Sequence, residues 1–164
     1  MYVLGIDPDK VIDSLEVPEF TLGQLGADHL GRVFIYLEAD EAIAASDVVI
    51  IHADCGSEKL DATSGAAGTG TGKKLAVAPE SPSQTIAAGD FYWGCVYAVS
   101  YETGGVDSCA AHVETYATAT PGKIDDVFDG DIAVRGIVFH TALSGVTVEG
   151  ASINFPYVVN TIDS

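Results

Sequence analysis

The sequence predicts an all-β fold: a compact β-barrel or sandwich of about seven short strands with an N-terminal arm. Three observations predict it. The first is the run Phe91–Ser100, where Phe91, Trp93, Cys95, Tyr97 and Val99 alternate with Tyr92, Gly94, Val96, Ala98 and Ser100. A period of two with bulky groups on one side and mostly small ones on the other is a strand whose bulky face fills a core. The small side leaves room for something to approach closely. The second is a series of short β-branched runs separated by Gly-rich turns, with 18 glycines in 164 residues. The third is the lack of a strong long helical pattern. A chain of this length suits one domain able to bury about 70% of its unfolded surface.

The elements follow in order. Residues 1–27 read as an arm, extended with at most one short helix, lying on a neighbour or on the domain surface, or equally as an ordinary frayed terminus; residues 28–164 form the β-domain. Asp7-Pro8-Asp9 is a helix start, with Asp as N-cap and Pro at the first helical position. Pro18 would end that helix, and Val11, Ile12 and Leu15 are its apolar stripe. Phe20-Thr-Leu22-Gly-Gln-Leu25 then reads as extended. These six apolar side chains, Val11, Ile12, Leu15, Phe20, Leu22 and Leu25, are the candidates for contact with a partner. Arg32–Leu37 and Asp47–Ala53 are nearly continuous in apolarity, which suggests cover on both faces. Ala-rich Glu38–Ser46 fits a short helical turn, and Ser57–Gly72 a polar loop. Leu75–Ala78 precedes the Phe91 strand. Ala111–Ala119, Ile132–Thr141 and Val146–Glu149 are further strands, with an acidic loop at Asp125–Asp131. Pro156 has no ladder donor, so the last strand, Ile153–Val159, belongs at an edge or ends early. An internal echo joins Ile43-Ala-Ala-Ser-Asp47 to Ile86-Ala-Ala-Gly-Asp90. Each is a small-residue turn whose Asp opens a strand.

Charge narrows the function. With 24 acidic groups against 7 basic ones the net charge is −17, and only Lys73-Lys74 sets two cations side by side. Phosphate backbones and anionic membranes are held by clustered cations, so neither nucleic acid nor membrane is an expected partner. No apolar run reaches the length of about 20 residues that spans a bilayer. The N-terminus lacks a basic region followed by a long apolar one, so a cytoplasmic origin is expected. Cys55, Cys95 and Cys109 are an odd set without Cys-x-x-Cys spacing, which argues against a disulfide framework.

Motifs that carry chemistry are few. Gly68–Lys74 imitates a phosphate loop, but its first required glycine falls on Ala67 and its magnesium-binding hydroxyl on Lys74. A strand follows it, whereas the motif needs a helix N-terminus. His52-x-x-Cys55 and Cys109-x-x-His112 would make a tetrahedral zinc set if the two segments met; the alternative is separate buried thiols and solvated histidines. Asp125, Asp126, Asp129 and Asp131 suggest calcium, yet Val127 and Gly136 occupy positions where a calcium loop needs ligands. A nucleophile elbow is absent, and His29, His52, His112 and His140 are scattered. No residue is assigned to catalysis or to a cofactor.

One resemblance draws these segments together. It runs from Leu25-Gly26 through Gly31-Arg32 to Val33-Phe-Ile-Tyr-Leu-Glu-Ala-Asp-Glu-Ala-Ile-Ala-Ala-Ser-Asp-Val-Val49, and after the Gly/Thr loop to Lys74-Leu-Ala-Val-Ala-Pro79. It continues in Ile86-Ala-Ala-Gly-Asp-Phe-Tyr-Trp-Gly-Cys-Val96 and Tyr116-Ala-Thr-Ala-Thr-Pro-Gly-Lys-Ile-Asp-Asp126. Ile137-Val-Phe-His-Thr-Ala142 and Asn154-Phe-Pro-Tyr-Val-Val159 complete it. The pattern resembles the small β-barrel capsid decoration, or cement, proteins of tailed bacteriophages over roughly residues 25–159. The resemblance implies a non-enzymatic virion protein on the outside of the capsid, assembled in the host cytoplasm. Its implied partners are the major capsid protein and further copies of itself, as a homotrimer. Two other readings are a tail-tube or fibre-attachment module and a small metal-dependent enzyme built on His52, Cys55, Cys109 and His112.

Overall fold

The computed structural model describes residues 3–62, 72–105, 109–128, 132–145 and 147–160. The chain is all-β, with no helix among these residues. Its strands are β1 (Val3–Leu4), β2 (Leu25–Ala27), β3 (Val33–Ala39), β4 (Val48–Ile51), β5 (Gly56–Lys59), β6 (Lys74–Val77), β7 (Phe91–Gly105), β8 (Thr115–Ala117), β9 (Ile124–Asp125), β10 (Ile132–Phe139) and β11 (Thr147–Asn160). These 11 strands form one mixed sheet in the order β1-β2-β3-β5-β4-β6-β11-β10-β8-β9-β7. Because β7 also pairs with β3, the sheet closes on itself as a ring over 9 strands, leaving β1 and β2 outside. Closure removes most of the open edges that would otherwise template aggregation.

The strand β7 organises the ring. It spans 15 residues and pairs with β3, β6, β11 and β9. Phe91, Trp93 and Cys95 point into the interior cluster with Phe34, Tyr36, Val77 and Ile153. Tyr92 and Val96 face outward, into a second cluster with Leu37, Val49 and Ala76. Between them lies Gly94, where a Cβ would sit 2.8 Å from the Ala76 Cβ and 2.9 Å from Leu37 Cδ1. The small side of the strand is thus filled by the chain's own residues.

The simple alternation fails beyond Cys95. Val33 pairs with Tyr97 but Phe34 with Cys95, so Val96 is an inserted residue on β7. Such a bulge turns the strand, and Tyr97 and Val99 face solvent instead of filling the core. A second shift sets Ile153 against Ala98 but Ala151 against Tyr101.

The last strand also departs from expectation. Of the two strands expected at Val146–Glu149 and Ile153–Val159, Thr147–Glu149 and Ile153–Val159 belong to one, β11, which pairs with β10, β6 and β7 and is no edge, while Val146 lies outside the described residues. Pro156 is accommodated by a bulge: Arg135 pairs with Tyr157 and Ile137 with Ile153, so the ladder skips Asn154–Pro156. Gly136 opposite has φ +85, and a Cβ there would lie 2.6 Å from the Asn154 carbonyl oxygen. Only glycine fits that crossing.

The supposed loop after residue 56 begins as a strand. Ser57 is fully buried, its hydroxyl donating to the Glu38 carbonyl at 2.8 Å and meeting the Tyr92 hydroxyl at 2.8 Å. A polar residue enters the core because its hydroxyl both donates to the Glu38 carbonyl and can accept from Tyr92. Ala111–Ala119 is shorter than expected, paired only over Thr115–Ala117. The Ala-rich segment after Ala39 forms a bend and a turn instead of a helical one.

The sequence echo is also structural. Ala44 N–H donates to Asp47 Oδ2 and Ala87 N–H to Asp90 Oδ2, both at 2.9 Å. The residue before each Asp has positive φ, Ser46 at 60° and Gly89 at 89°. The two turns meet through an antiparallel bridge between Ile43 and Ile86. Each turn also serves the other's strand: the Asp47 carbonyl accepts from Ala78 N–H and the Asp90 carbonyl from Ala39 N–H. Lys123 adds an ion pair to Asp47 at 2.8 Å, and both side chains are largely buried.

Residues 3–27 lie on the chain's own ring. β1 pairs in parallel with β2, which pairs with β3. The Asp7-Pro8-Asp9 helix does not form, because Ile12 exchanges both backbone hydrogen bonds with Phe91 at 2.9 Å. An extended backbone at Ile12 excludes helical geometry there.

Candidate functional site

The site best defined by the fold is an apolar pocket on the outer face, of about 300 Å³. It forms where β3, β6 and β11 all approach β7, near the Val96 bulge. Leu25 and Ile35 come as a cross-strand pair of β2 and β3. Ile51 ends β4, Val96 comes from β7, and Phe155, Pro156 and Tyr157 come from the β11 bulge. The bulge presents these aromatics: Phe155 has φ 44° and is 53% exposed, and Tyr157 is 45% exposed. Phe155 lies against Tyr97, with ring centroids 6.0 Å apart. Val99 extends the apolar surface along β7 and is 75% exposed.

The electrostatics of the pocket differ from those of the molecule. Among the described residues its lining holds one charged side chain, Lys74, and no carboxylate, in a chain of net charge −17. Chemically it accepts an apolar side chain with an anion beside it. Large exposed aromatic surface rimmed by polar groups marks a contact site more often than a neutral surface.

The six side chains expected at a partner contact divide. Val11 and Ile12 are buried, and Phe20 and Leu22 pack against the interior cluster, Phe20 with its ring 5.0 Å from Trp93 and 5.4 Å from Tyr36. Leu25 lines the pocket. Leu15 is 94% exposed, followed by Val17 at 86%. The sequence did not single out Tyr97, Phe155 and Tyr157; the one signal was a pair of aromatics flanking a proline inside an apolar run.

The zinc set is not brought together. Cys109 is buried in the interior cluster, while Cys55 packs against the outer one. Burial pushes the Cys109 thiol up to about 11, helped by the nearby Asp126 and Asp125 charges. His52 instead sits between Asp40, 3.1 Å from Nδ1, and Glu58, 3.3 Å from Nε2. Among the described residues no group of three or more His, Cys, Asp or Glu side chains is placed to hold a metal. Asp126 accepts from Ala110 N–H and Asp125 from Val127 N–H, while Asp129 and Asp131 lie outside the described residues. The imitation phosphate loop lies outside them too, up to Thr71.

Among the described residues a Ser–His contact places His140 Nε2 2.7 Å from Ser152 Oγ. The Val99 carbonyl, 3.2 Å from the same hydroxyl, competes with the histidine for its one proton. Nucleophile activation needs the histidine to receive that proton.

No protein-family model, curated protein or solved structure matches this chain.

Proposed function

We propose that the protein is a structural component of a phage particle, a decoration protein on the outer surface of the head that bridges major capsid proteins. On this reading the closed ring acts as a small β-barrel whose job is to hold a binding surface in shape. The observation that carries it is the apolar pocket lined by Val96, Phe155 and Tyr157, with exposed Tyr97 against Phe155, on an otherwise strongly acidic molecule. Apolar area of this kind is stabilising only when covered by another protein. The patterned resemblance of residues 25–159 to capsid decoration proteins supplies the kind of partner: the major capsid protein and further copies of the chain. Acidic surface away from the pocket suits a protein that never meets the packaged DNA.

Immunogold labelling of purified particles with antibody raised against the protein tests this. Label on the heads, in constant ratio to the capsid subunit, is expected. Label on tails selects a tail-tube or fibre-attachment module instead, and unlabelled particles reject a virion role.

A further inference from the structure

We infer that the pocket receives the Asp13–Glu19 segment of a second copy of this chain, giving a head-to-tail contact that closes into a ring of copies. The inference deepens the proposed function by naming one partner of that surface. It begins from the segment. Leu15 and Val17 are the two most exposed large apolar side chains among the described residues, at 94% and 86%. They stand among Asp13, Glu16 and Glu19, and Pro18 keeps the stretch from joining a ladder. Asp13 accepts a hydrogen bond from Leu15 N–H at 2.8 Å, and Glu16 N–H donates to the Asp13 carbonyl at 2.9 Å, so the segment is a preformed turn. Preorganisation of this kind lowers the entropy cost of docking.

The pocket matches the segment in apolar character and in charge. It offers Leu25, Ile35, Ile51, Val96, Phe155 and Tyr157 to an aliphatic side chain, with exposed Lys74 at the rim for Asp13 or Glu16. Two copies of a −17 molecule repel over most approaches. This pairing brings acid to the lysine end of a carboxylate-free surface.

The segment does not reach its own pocket. Ile12 is bridged to Phe91, and Ser14 N–H donates to Asp90 Oδ1 at 3.0 Å, on the side of Phe91 away from Val96. Val96 lies five residues along β7, roughly 17 Å at about 3.3 Å per residue. The contact is therefore between copies, and because segment and pocket are different surfaces it is heterologous, which gives a ring when the rotation closes.

Sedimentation with two surface variants tests this. Leu15→Asp/Val17→Asp alters exposed side chains of the segment. Lys74→Glu/Phe155→Asp alters exposed side chains of the pocket, with Asp tolerated at the positive φ of residue 155. Circular dichroism checks that each remains folded. The wild type should sediment as a closed oligomer and each variant as a monomer, association being weakened on the order of 100-fold or more by the loss of two buried aliphatic contacts. Mixing the two variants should give a one-to-one heterodimer and nothing larger, since one intact segment meets one intact pocket. A monomeric wild type, an oligomer that survives in either variant, or a mixture without heterodimer overturns the inference. None of these outcomes depends on particle labelling, so this contact and the virion role fail separately.

Discussion

Removing the Asp47 carboxylate should reveal how strongly the paired turns hold the ring. In wild type its Oδ2 accepts from Ala44 N–H at 2.9 Å and its Oδ1 from Lys123 Nζ at 2.8 Å, with the Asp side chain 3% exposed and the Lys 16%. Asp47→Ala leaves a largely buried ammonium alone and an amide without its acceptor. Breaking one partner of a buried pair costs about 3–5 kcal/mol. That is a large share of the roughly 5–15 kcal/mol by which domains are stable. Asp90→Ala is the internal comparison. Asp90 caps the equivalent turn and accepts from Ala87 and Ser14 N–H groups without an ion pair, so about 2–4 kcal/mol is expected from two orphaned donors. Urea unfolding of Asp47→Ala, Lys123→Met and the double variant closes a thermodynamic cycle. A coupling of about 1.5–3 kcal/mol is expected for groups in contact, because the double variant leaves neither charge stranded. A coupling under about 0.5 kcal/mol would refute the view that the pair acts as a unit.

Three further outcomes follow from the same packing. Gly94→Ala should destabilise by about 1–3 kcal/mol, because its Cβ meets the fixed Ala76 Cβ, and adding Ala76→Gly should recover part of the loss in the same unfolding assay. Burial pushes the Asp28 carboxyl up, but the hydrogen bonds and charge of Arg32 outweigh burial and hold it below its ordinary 3.8. A lowered folded value gives stability that is full above the unfolded pKa and is lost as pH falls through the folded one. The stability gap between wild type and Asp28→Asn should therefore be constant near neutrality and shrink below pH about 3.9 in urea midpoints; a gap unchanged in acid would contradict the assignment. In thiol titration with an aromatic disulfide at pH 8, half-buried Cys55 should react first, and Cys95 and Cys109 only after denaturation, since both are buried and their thiols are raised. Equal rates for all three would show that the core opens readily.

The β character of the chain was legible because Phe91, Trp93 and Cys95 alternate cleanly with Tyr92 and Gly94. It stopped being legible at Val96, because a bulge changes which face a residue takes without changing composition. Proline 156 misled for a related reason: its missing donor can be absorbed by a skipped stretch of ladder as well as by an edge. The echo at Asp47 and Asp90 was visible as words, but the bridge between Ile43 and Ile86 is a matter of space. The pocket was not legible at all, apart from Leu25. Its lining comes from six strands, and no window of sequence contains it. The histidine and cysteine pairs had suggestive spacing, yet spacing cannot tell that Cys55 and Cys109 belong to opposite faces of one sheet.

The exchange between the two Asp turns also sets an order of events during synthesis. Phe34 and Tyr36 emerge from the ribosome early, but the strand that covers them begins only at Phe91. One edge of Val48–Ile51 likewise waits for Lys74–Val77, while its other edge pairs with Gly56–Lys59. Neither turn is complete without the other's strand, so although Leu25–Ala27 can pair early with Val33–Ile35 and Val49–Ile51 with Ser57–Lys59, the other edges of these apolar strands stay open until both turns have been made. Long-range pairing of this kind is slow to form. A chain truncated after residue 85 should therefore stay unfolded by circular dichroism, and the full-length chain should acquire its protection from proteolysis in a single late step.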